Sequence, residues 1–495
     1  MIYLKNNSIW QEEIKKDNYY ELKENREVDV LIIGGGITGI STAYHLSKSN
    51  LNICVVEKNN IASGITSKTT GKLTYLQGLI YSNIANFYSK EVAKKYYDSQ
   101  KEAIKLVEDI IEENNIDCNF TKQKSYLFAS FKEEIEKIKK EKTLLEEFGV
   151  KVNEIKTLPI DIHSYYGISV TDTAYFHPVK YVNELAKICS LRKVKIFENT
   201  NICELKKIDN GYICYTTNNK KIIAKKVICA CNYPFFLFPY FFPIKGHIER
   251  SYISASKVDE NKDVSGINTL NNATSFRFYK NNKNKYLIYL KGSHNLAFKY
   301  NIKDNFKPLI NDLQRMNLNS DYLWCNEDII TNDYLPYIGE IDSFLYIATG
   351  YNTWGMTNGS IAGKILSDIL LNKENKYIEL FNPKRVMPFA NIVNITYDLF
   401  SSIKPFLENR INKNKNFYQE KVLFTKKDGK NIAIYIDERG NKHIVYNTCP
   451  HMKCSLIFNE IEKTWDCPCH SSRFDIDGKA IKGPSAYNIS YQEKE

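Results

Sequence analysis

Residues 28–33 (VDVLII) form a short apolar run rich in β-branched side chains, broken only by Asp29, and glycines follow at once. Beyond them Ile37, Ile40, Ala43 and Leu46 recur at helical spacing, and a second apolar run, NICVVEK, comes next. Strand, turn, helix and strand in this order make the βαβ unit of a parallel sheet. Residues 86–115 predict a long amphipathic helix with Val92, Tyr96, Ala103, Leu106 and Ile110 on one stripe. The pattern also predicts a strand over 125–130, a helix over 177–190 with Pro178 in its first turn, and a buried strand over 225–232. The run FFLFPYFFPI at 235–244 contains two prolines and is too short to span a bilayer, so it reads as buried loop and strand.

The character changes at 373–418, where prolines, one apolar stretch and an Asn/Lys tail predict a helical connection and linker. From 419 onward the chain alternates apolar and polar residues. Turn signals stand at Asp428-Gly429 and Arg439-Gly440-Asn441, which predicts a small, separate β domain.

Composition narrows the class. A chain of 495 residues with 43% hydrophobic and 25% charged residues suits a soluble globular protein of two or three domains. The first residues are polar and have no signal-peptide core, which predicts a cytoplasmic protein. The net charge of +11 is spread along the chain without an arginine-rich run, so no nucleic-acid partner is expected. Eight of the twelve cysteines are scattered without paired spacing and read as free thiols.

Candidate chemistry begins with Gly34-x-Gly36-x-x-Gly39, which follows a strand and opens a helix, with Glu57 ending the next strand. Gly34 allows a tight turn, Gly36 lets the backbone approach a pyrophosphate, and Gly39 lets helix and strand pack closely. Glu57 can accept hydrogen bonds from ribose hydroxyls. This fingerprint predicts a dinucleotide and does not separate FAD from NAD.

Two stretches, EKNNIASGITSKTTGKLT and TNDYLPYIGEIDSFLYIATGYNTWGMTNGSIAGKIL, resemble the FAD-dependent D-amino-acid oxidase-like family of the glycine oxidase type. The resemblance spans roughly 28–372. It implies that Lys58, Thr66, Thr69 and Thr70 line the pyrophosphate and flavin, and that Gly350, Trp354, Gly355, Met356 and Thr357 sit at the isoalloxazine. It also implies FAD-binding parts at about 28–75, 171–235 and 330–372, with substrate parts at about 76–170 and 236–329. Residues 1–27 are then an N-terminal extension.

Near the C-terminus stands Cys449-x-His451, then fifteen residues, then Cys467-x-x-His470. Two cysteines and two histidines suit either tetrahedral zinc or a Rieske 2Fe–2S cluster. The stretch WDCPCHSSRFDIDGKAIKGPS resembles the second Rieske loop, including Gly483-Pro484. That resemblance implies a Rieske domain over 419–495 with Cys449 and Cys467 on one iron and His451 and His470 on the other. Cys454 and Cys469 match a loop-tying disulfide of respiratory Rieske proteins, and Ser472 matches a donor to a bridging sulfide. Phe474 replaces a tyrosine of those proteins, and Lys453 and Ser471 replace glycines.

The expected fold class is therefore an α/β FAD-binding Rossmann-type domain with an inserted α+β substrate domain, followed by a small all-β Rieske domain. A flavin takes two electrons at once and a Rieske cluster carries one. Their union implies an FAD-dependent oxidoreductase that dehydrogenates a small amine or amino-acid-like substrate and passes electrons to a one-electron acceptor protein. A reductase with reversed flow and an accompanying donor protein, a redox sensor, and a tRNA-modifying flavoprotein are the other readings. No catalytic acid or base is assignable. Arg250 and Arg277 read as solvated or structural, and His247 and His294 as surface or core residues.

Overall fold

A computed structural model describes residues 8–12, 19–236, 245–269, 273–295, 302–386 and 422–491. The strand Arg26–Ile33 is buried along its apolar half and pairs in parallel with Ile53–Val56 on one side and Lys221–Cys229 on the other. Lys221–Cys229 in turn pairs in parallel with Leu345–Thr349, so the center of this eight-stranded sheet joins segments from both ends of the first 370 residues. A parallel sheet is covered on both faces, which is why its strands are apolar without alternation. The helix Ile37–Leu46 lies on one face and packs against the helix Gly355–Leu370.

A nine-stranded sheet carries the second layer. Its order runs Tyr322–Thr331, Gly246–Val258, Lys285–Asn295, Thr274–Lys280, Val264–Asn268, Thr121–Ala129, Tyr166–Tyr175 and Lys72–Leu73, with Asn153–Ile155 on the side. In the antiparallel pair at one edge, Glu249 stands opposite Asp328, Arg250 opposite Glu327, and Ser251 opposite Asn326. Opposed residues share a face and successive residues alternate faces. Glu249 and Asp328 therefore point one way and Arg250 and Glu327 the other.

The helix expected over 86–115 is Lys90–Asn114, and a separate helix, Ile80–Phe87, precedes it. The break is local: the Ser89 hydroxyl accepts the Val92 amide as an N-cap, and Asn115 ends the helix in the left-handed region. Most of the apolar run 235–244 and of the linker 373–418 lies outside the described residues. Among the described residues no helix is long and apolar enough to cross a membrane.

The C-terminal strands form two small antiparallel sheets, Val422–Lys427 to Lys442–Tyr446 and Ile457–Asn459 to Ala480–Lys482. Asp428 and Gly429 both take positive φ, as a two-residue hairpin loop of the I′ type requires. Trp465, Phe458, Tyr435 and Phe474 fill the core between the two sheets. These sheets are small and share a core of their own, as the alternating pattern leads one to expect. They dock on the nine-stranded sheet through buried polar contacts, with Arg250 pairing to Asp466 and Lys482 to Glu327 across the contact.

Gly39 sets the tightest contact of the first sheet, since a Cβ there would overlap the Gly34 carbonyl oxygen. Gly39→Ala is expected to destabilise the chain by about 1–3 kcal/mol, as overpacking does. Urea denaturation of the full chain measures it, and an unchanged midpoint would show that the helix can shift.

Candidate active site

The turn after Arg26–Ile33 is built to leave room. Gly34 takes φ +115°, and a Cβ there would lie 2.7 Å from the Ala230 carbonyl oxygen. The Ile37 amide at the start of the next helix donates to Thr66 Oγ1 at 3.1 Å. Glu57 is half-buried and accepts the amides of Gly35 (2.7 Å) and Asn59 (2.9 Å). Burial raises its pKa, and those two amides oppose the shift. Gly34, Gly36, Glu57, Lys58, Thr66 and Met356 line one groove, together with Gly355. Gly39 acts by packing and does not line it. A helix N-terminus facing a side-chain-free turn, with a half-buried carboxylate beside it, fits the pyrophosphate and ribose of a dinucleotide.

A cavity of about 600 Å³ adjoins this groove. Thr69, Thr70, Lys72 and Trp354 line one end. Lys72 is buried, donates to Ser275 Oγ (2.5 Å) and the Gly266 carbonyl (3.3 Å), and is lowered to about 7 by burial and by Arg277. Arg277 donates to the carbonyls of Thr70 (2.9 Å), Gly71 (2.8 Å) and Phe176 (3.2 Å), so it holds the loop that carries Thr69 and Thr70. Trp354 is the N-cap residue of the helix Gly355–Leu370. Thr357 Oγ1 donates back to the Trp354 carbonyl at 3.3 Å, and Gly350 turns the chain at φ +74°. Gly350 and Thr357 are not among the residues lining groove or cavity. His247, Glu249, Ser251, Asn326 and Asp328 form a wall that no motif announced.

At the C-terminal end, Cys449, Cys467 and His470 are buried and His451 is half-buried. The two imidazoles lie 5.2 Å apart at 88°. All four of their ring nitrogens are buried without a hydrogen-bond partner. Cys467 hydrogen-bonds Cys449, which lowers Cys449 to about 7. Buried polar atoms without partners are costly, and two thiols beside two orphaned imidazoles fit the donor set of a metal center. Cys454, Cys467 and Cys469 also bring their sulfurs within 4.8 Å of one another. A disulfide joins Cys454 to Cys469 and removes both as thiolate ligands. Lys453 and Ser471, which stand in place of glycines, take φ of 59° and 60°. The loops thus keep a left-handed backbone despite the substitutions. Ser472 Oγ accepts the Ser485 amide at 3.1 Å.

Residues 29–369 match the FAD dependent oxidoreductase family, and residues 409–491 match the Rieske [2Fe-2S] domain. The chain belongs to the FAD dependent oxidoreductase family. Its cofactors are FAD and a Rieske 2Fe–2S cluster. It is 28% identical over 492 residues to YhfW of Bacillus subtilis (strain 168), whose name calls it a Rieske 2Fe-2S iron-sulfur protein, covering 97% of this chain and 96% of that one. It is 20% identical over 415 residues to gamma-glutamylputrescine oxidoreductase of Escherichia coli (strain K12), covering 79% and 95%. Glycine oxidase from Geobacillus kaustophilus superposes with a TM-score of 0.61 at 16% identity, covering 73% of this chain and 100% of that one, a likeness of fold.

The Rieske domain of this oxidoreductase is held by a buried ion cluster. Arg250 Nη2 lies 2.5 Å from Glu327 Oε1 and 2.8 Å from Asp466 Oδ2. Arg473 reaches Asp466 (2.9 Å) and Glu462 (2.7 Å), Ser471 Oγ donates to Glu327 at 2.8 Å, and Lys482 pairs with Glu327. Burial pushes the Glu327 carboxyl up, but Lys482, Arg250 and Arg473 outweigh it and hold it well below the usual carboxylate range. Around this cluster, Lys58 donates to the Ser485 carbonyl (2.9 Å) and Asn59 to that of Ile481 (2.8 Å). His470, Lys482, Gly483, Pro484 and Ser485 consequently line the same groove as Gly36 and Glu57, and the Tyr233 ring lies 5.2 Å from that of His470. Arg250 and Arg277 are both structural, and neither is solvated. Their partners lie far away in sequence, so no local signal marked them. The His294 ring stacks on Tyr252 at 5.6 Å.

Removing one partner of a buried ion cluster leaves charges uncompensated. Glu327→Gln is expected to cost about 3–5 kcal/mol and to loosen the Rieske domain. Denaturant unfolding and limited proteolysis of the full chain read both effects; a variant as stable and as protease-resistant as the parent would show that the cluster does not hold the domains.

Proposed function

We propose that this oxidoreductase dehydrogenates a small amine or amino-acid-like substrate in the 600 Å³ cavity and delivers the electrons one at a time through its Rieske cluster to an acceptor protein. The observation that carries this reading is the shared groove. His470 and residues 482–485 line the same space as Gly36, Glu57 and Met356, so the two redox sites adjoin within one chain.

Gly34, Gly36, Glu57, Lys58 and Thr66 hold the dinucleotide, with Gly39 allowing the close turn. Thr69, Thr70, Trp354, Gly355 and Met356 hold the flavin end, on a backbone set by Gly350 and Thr357. Cys449 and Cys467 bind one iron as thiolates, and His451 and His470 bind the other as imidazoles. When bound, FAD supplies two-electron chemistry and the cluster one-electron chemistry. The helix Gly355–Leu370 presents its N-terminal amides toward the flavin end, where they favor negative charge. A cavity of this size accommodates a small ligand. In the reaction a C–H bond of the substrate yields two electrons and a proton, the amine yields a second proton, and a C=N bond forms. Two one-electron steps at the acceptor protein close the balance.

Anaerobic mixing with a panel of amines and amino acids tests this. Flavin absorbance is expected to bleach first, and the electron-spin signal of a reduced Rieske center to follow. His470→Ala should leave the bleaching rate near that of the parent and abolish fast reoxidation by a one-electron acceptor. Bleaching without any cluster reduction in the parent protein would overturn the electron-outlet reading.

Glu57→Ala is expected to weaken FAD binding by about 1.5–3 kcal/mol, the value of hydrogen bonds to a charged group, while the cluster signal persists. Titration of the apoprotein with FAD measures it, and an unchanged affinity would remove Glu57 from the ribose site.

A further inference from the structure

We propose that Glu249, Asp328 and Asn326 form a subsite for a primary ammonium group other than the one oxidised, so that the substrate is an α,ω-diamine or longer polyamine. This rests on reading the cavity as the oxidation site.

The three residues sit together on the cavity face of the strands Gly246–Val258 and Tyr322–Thr331. Glu249 stands directly opposite Asp328, and Asn326 opposite Ser251. Like charges directly opposed on a sheet face repel, so this pair calls for a cation between or above them. Among the described residues, His247 faces Glu249 as a potential cation, charged only when protonated, and Lys482 acts on Asp328 from farther off. Lys482 pairs with Glu327 on the opposite face, and Lys137 and Lys140 are exposed at the mouth, where water and salt screen them. His247 Nε2 lies 3.3 Å from Glu249 Oε1, and Ser293 Oγ donates to Glu249 Oε2 at 2.5 Å.

Asn326 supplies the independent sign. Its Nδ2 donates to Asp328 Oδ2 at 2.9 Å, which fixes the amide orientation. Its Oδ1 is then left buried without a partner, on a residue only 6% exposed that lines the cavity. An unpaired buried acceptor beside two carboxylates asks for a donor-rich cation. An ammonium offers three N–H donors and no acceptor. A carboxylate ligand would meet repulsion here, and a hydroxyl would leave the charge uncompensated. Burial pushes the Asp328 carboxyl up to about 7 against the pull of Lys482, with Glu327 and Glu249 adding to the rise.

The other end of the cavity has the opposite character. Lys72 is anchored on Ser275 of the strand Thr274–Lys280, three strand spacings from Asp328. At 4.7–4.9 Å per spacing this is roughly 14 Å across the sheet. Lys72 lies near Trp354, at the flavin end, where it disfavors a second bound cation and so favors a neutral, oxidisable amine. A ligand charged at one end and neutral at the other matches this polarity.

The test uses the FAD-loaded full chain under anaerobic conditions. The probes are 1,3-diaminopropane, 1,4-diaminobutane and longer homologues, monoamines of equal length, and glycine and alanine. Dissociation constants come from calorimetry, and bleaching is followed in parallel. At least one diamine is expected to bind about tenfold or more tightly than its monoamine, as one hydrogen bond to a charged group provides. Glu249→Gln and Asp328→Asn should each remove that advantage. Equal binding of diamines and monoamines by the parent protein, or preference for the amino acids, would overturn the subsite without requiring any variant to fold. If diamines bind with the expected advantage and none of the probes bleaches the flavin, the subsite stands and the oxidation reading fails. If monoamines or amino acids bleach the flavin and diamines have no advantage, the oxidation reading stands and the subsite fails.

Discussion

A guanidinium taken out of water must be paired, and Arg250 is buried completely between the two halves of this chain. Glu327 and Asp466 supply its counter-charges from opposite sides of the interface. Arg473, Glu462 and Lys482 extend the pairing until each charge faces an opposite one. Buried ion clusters of this kind add little net stability over apolar packing, yet they are intolerant of misalignment. The cluster therefore acts on geometry: it admits one way of seating the Rieske domain on the nine-stranded sheet.

That seating decides what the redox sites can do. The segment at 481–485 runs beside Lys58 and Asn59, which follow directly on the half-buried carboxylate of Glu57. His470 faces Tyr233 across 5.2 Å and leaves His451 as the more exposed imidazole. The loop that carries His470 thus turns inward toward the groove of Gly36 and Glu57. A domain tethered only by its linker would not present the same imidazole each time.

The strands Gly246–Val258 and Tyr322–Thr331 serve both sites at once. Even-odd alternation puts His247, Glu249 and Ser251 on the cavity and Ile248 and Arg250 against the Rieske side. A single sheet layer separates the 600 Å³ cavity from the Rieske domain. A one-residue register slip would exchange the two faces, so the ion cluster on one side also fixes the cavity wall on the other.

The glycine turn, the acidic residue at Glu57 and the Cys/His loops were legible in the sequence because each lies within one short segment, where spacing alone sets geometry. The all-β character of the C-terminal part was legible for the same reason, through alternation and turn residues. The start of the long helix was misplaced by a few residues because the Ser89 cap outweighs continuing periodicity. Lys72, Arg250, Asn326, Glu327 and Tyr233 carried no local signal. Each is a single polar or aromatic residue in an ordinary strand or loop, and only cross-strand register and the docking of distant segments give it a partner. The chain by itself determined which cofactors it is built for. The tertiary structure alone decided where the two redox sites meet and what lines the cavity, because those contacts join side chains that share no stretch of sequence.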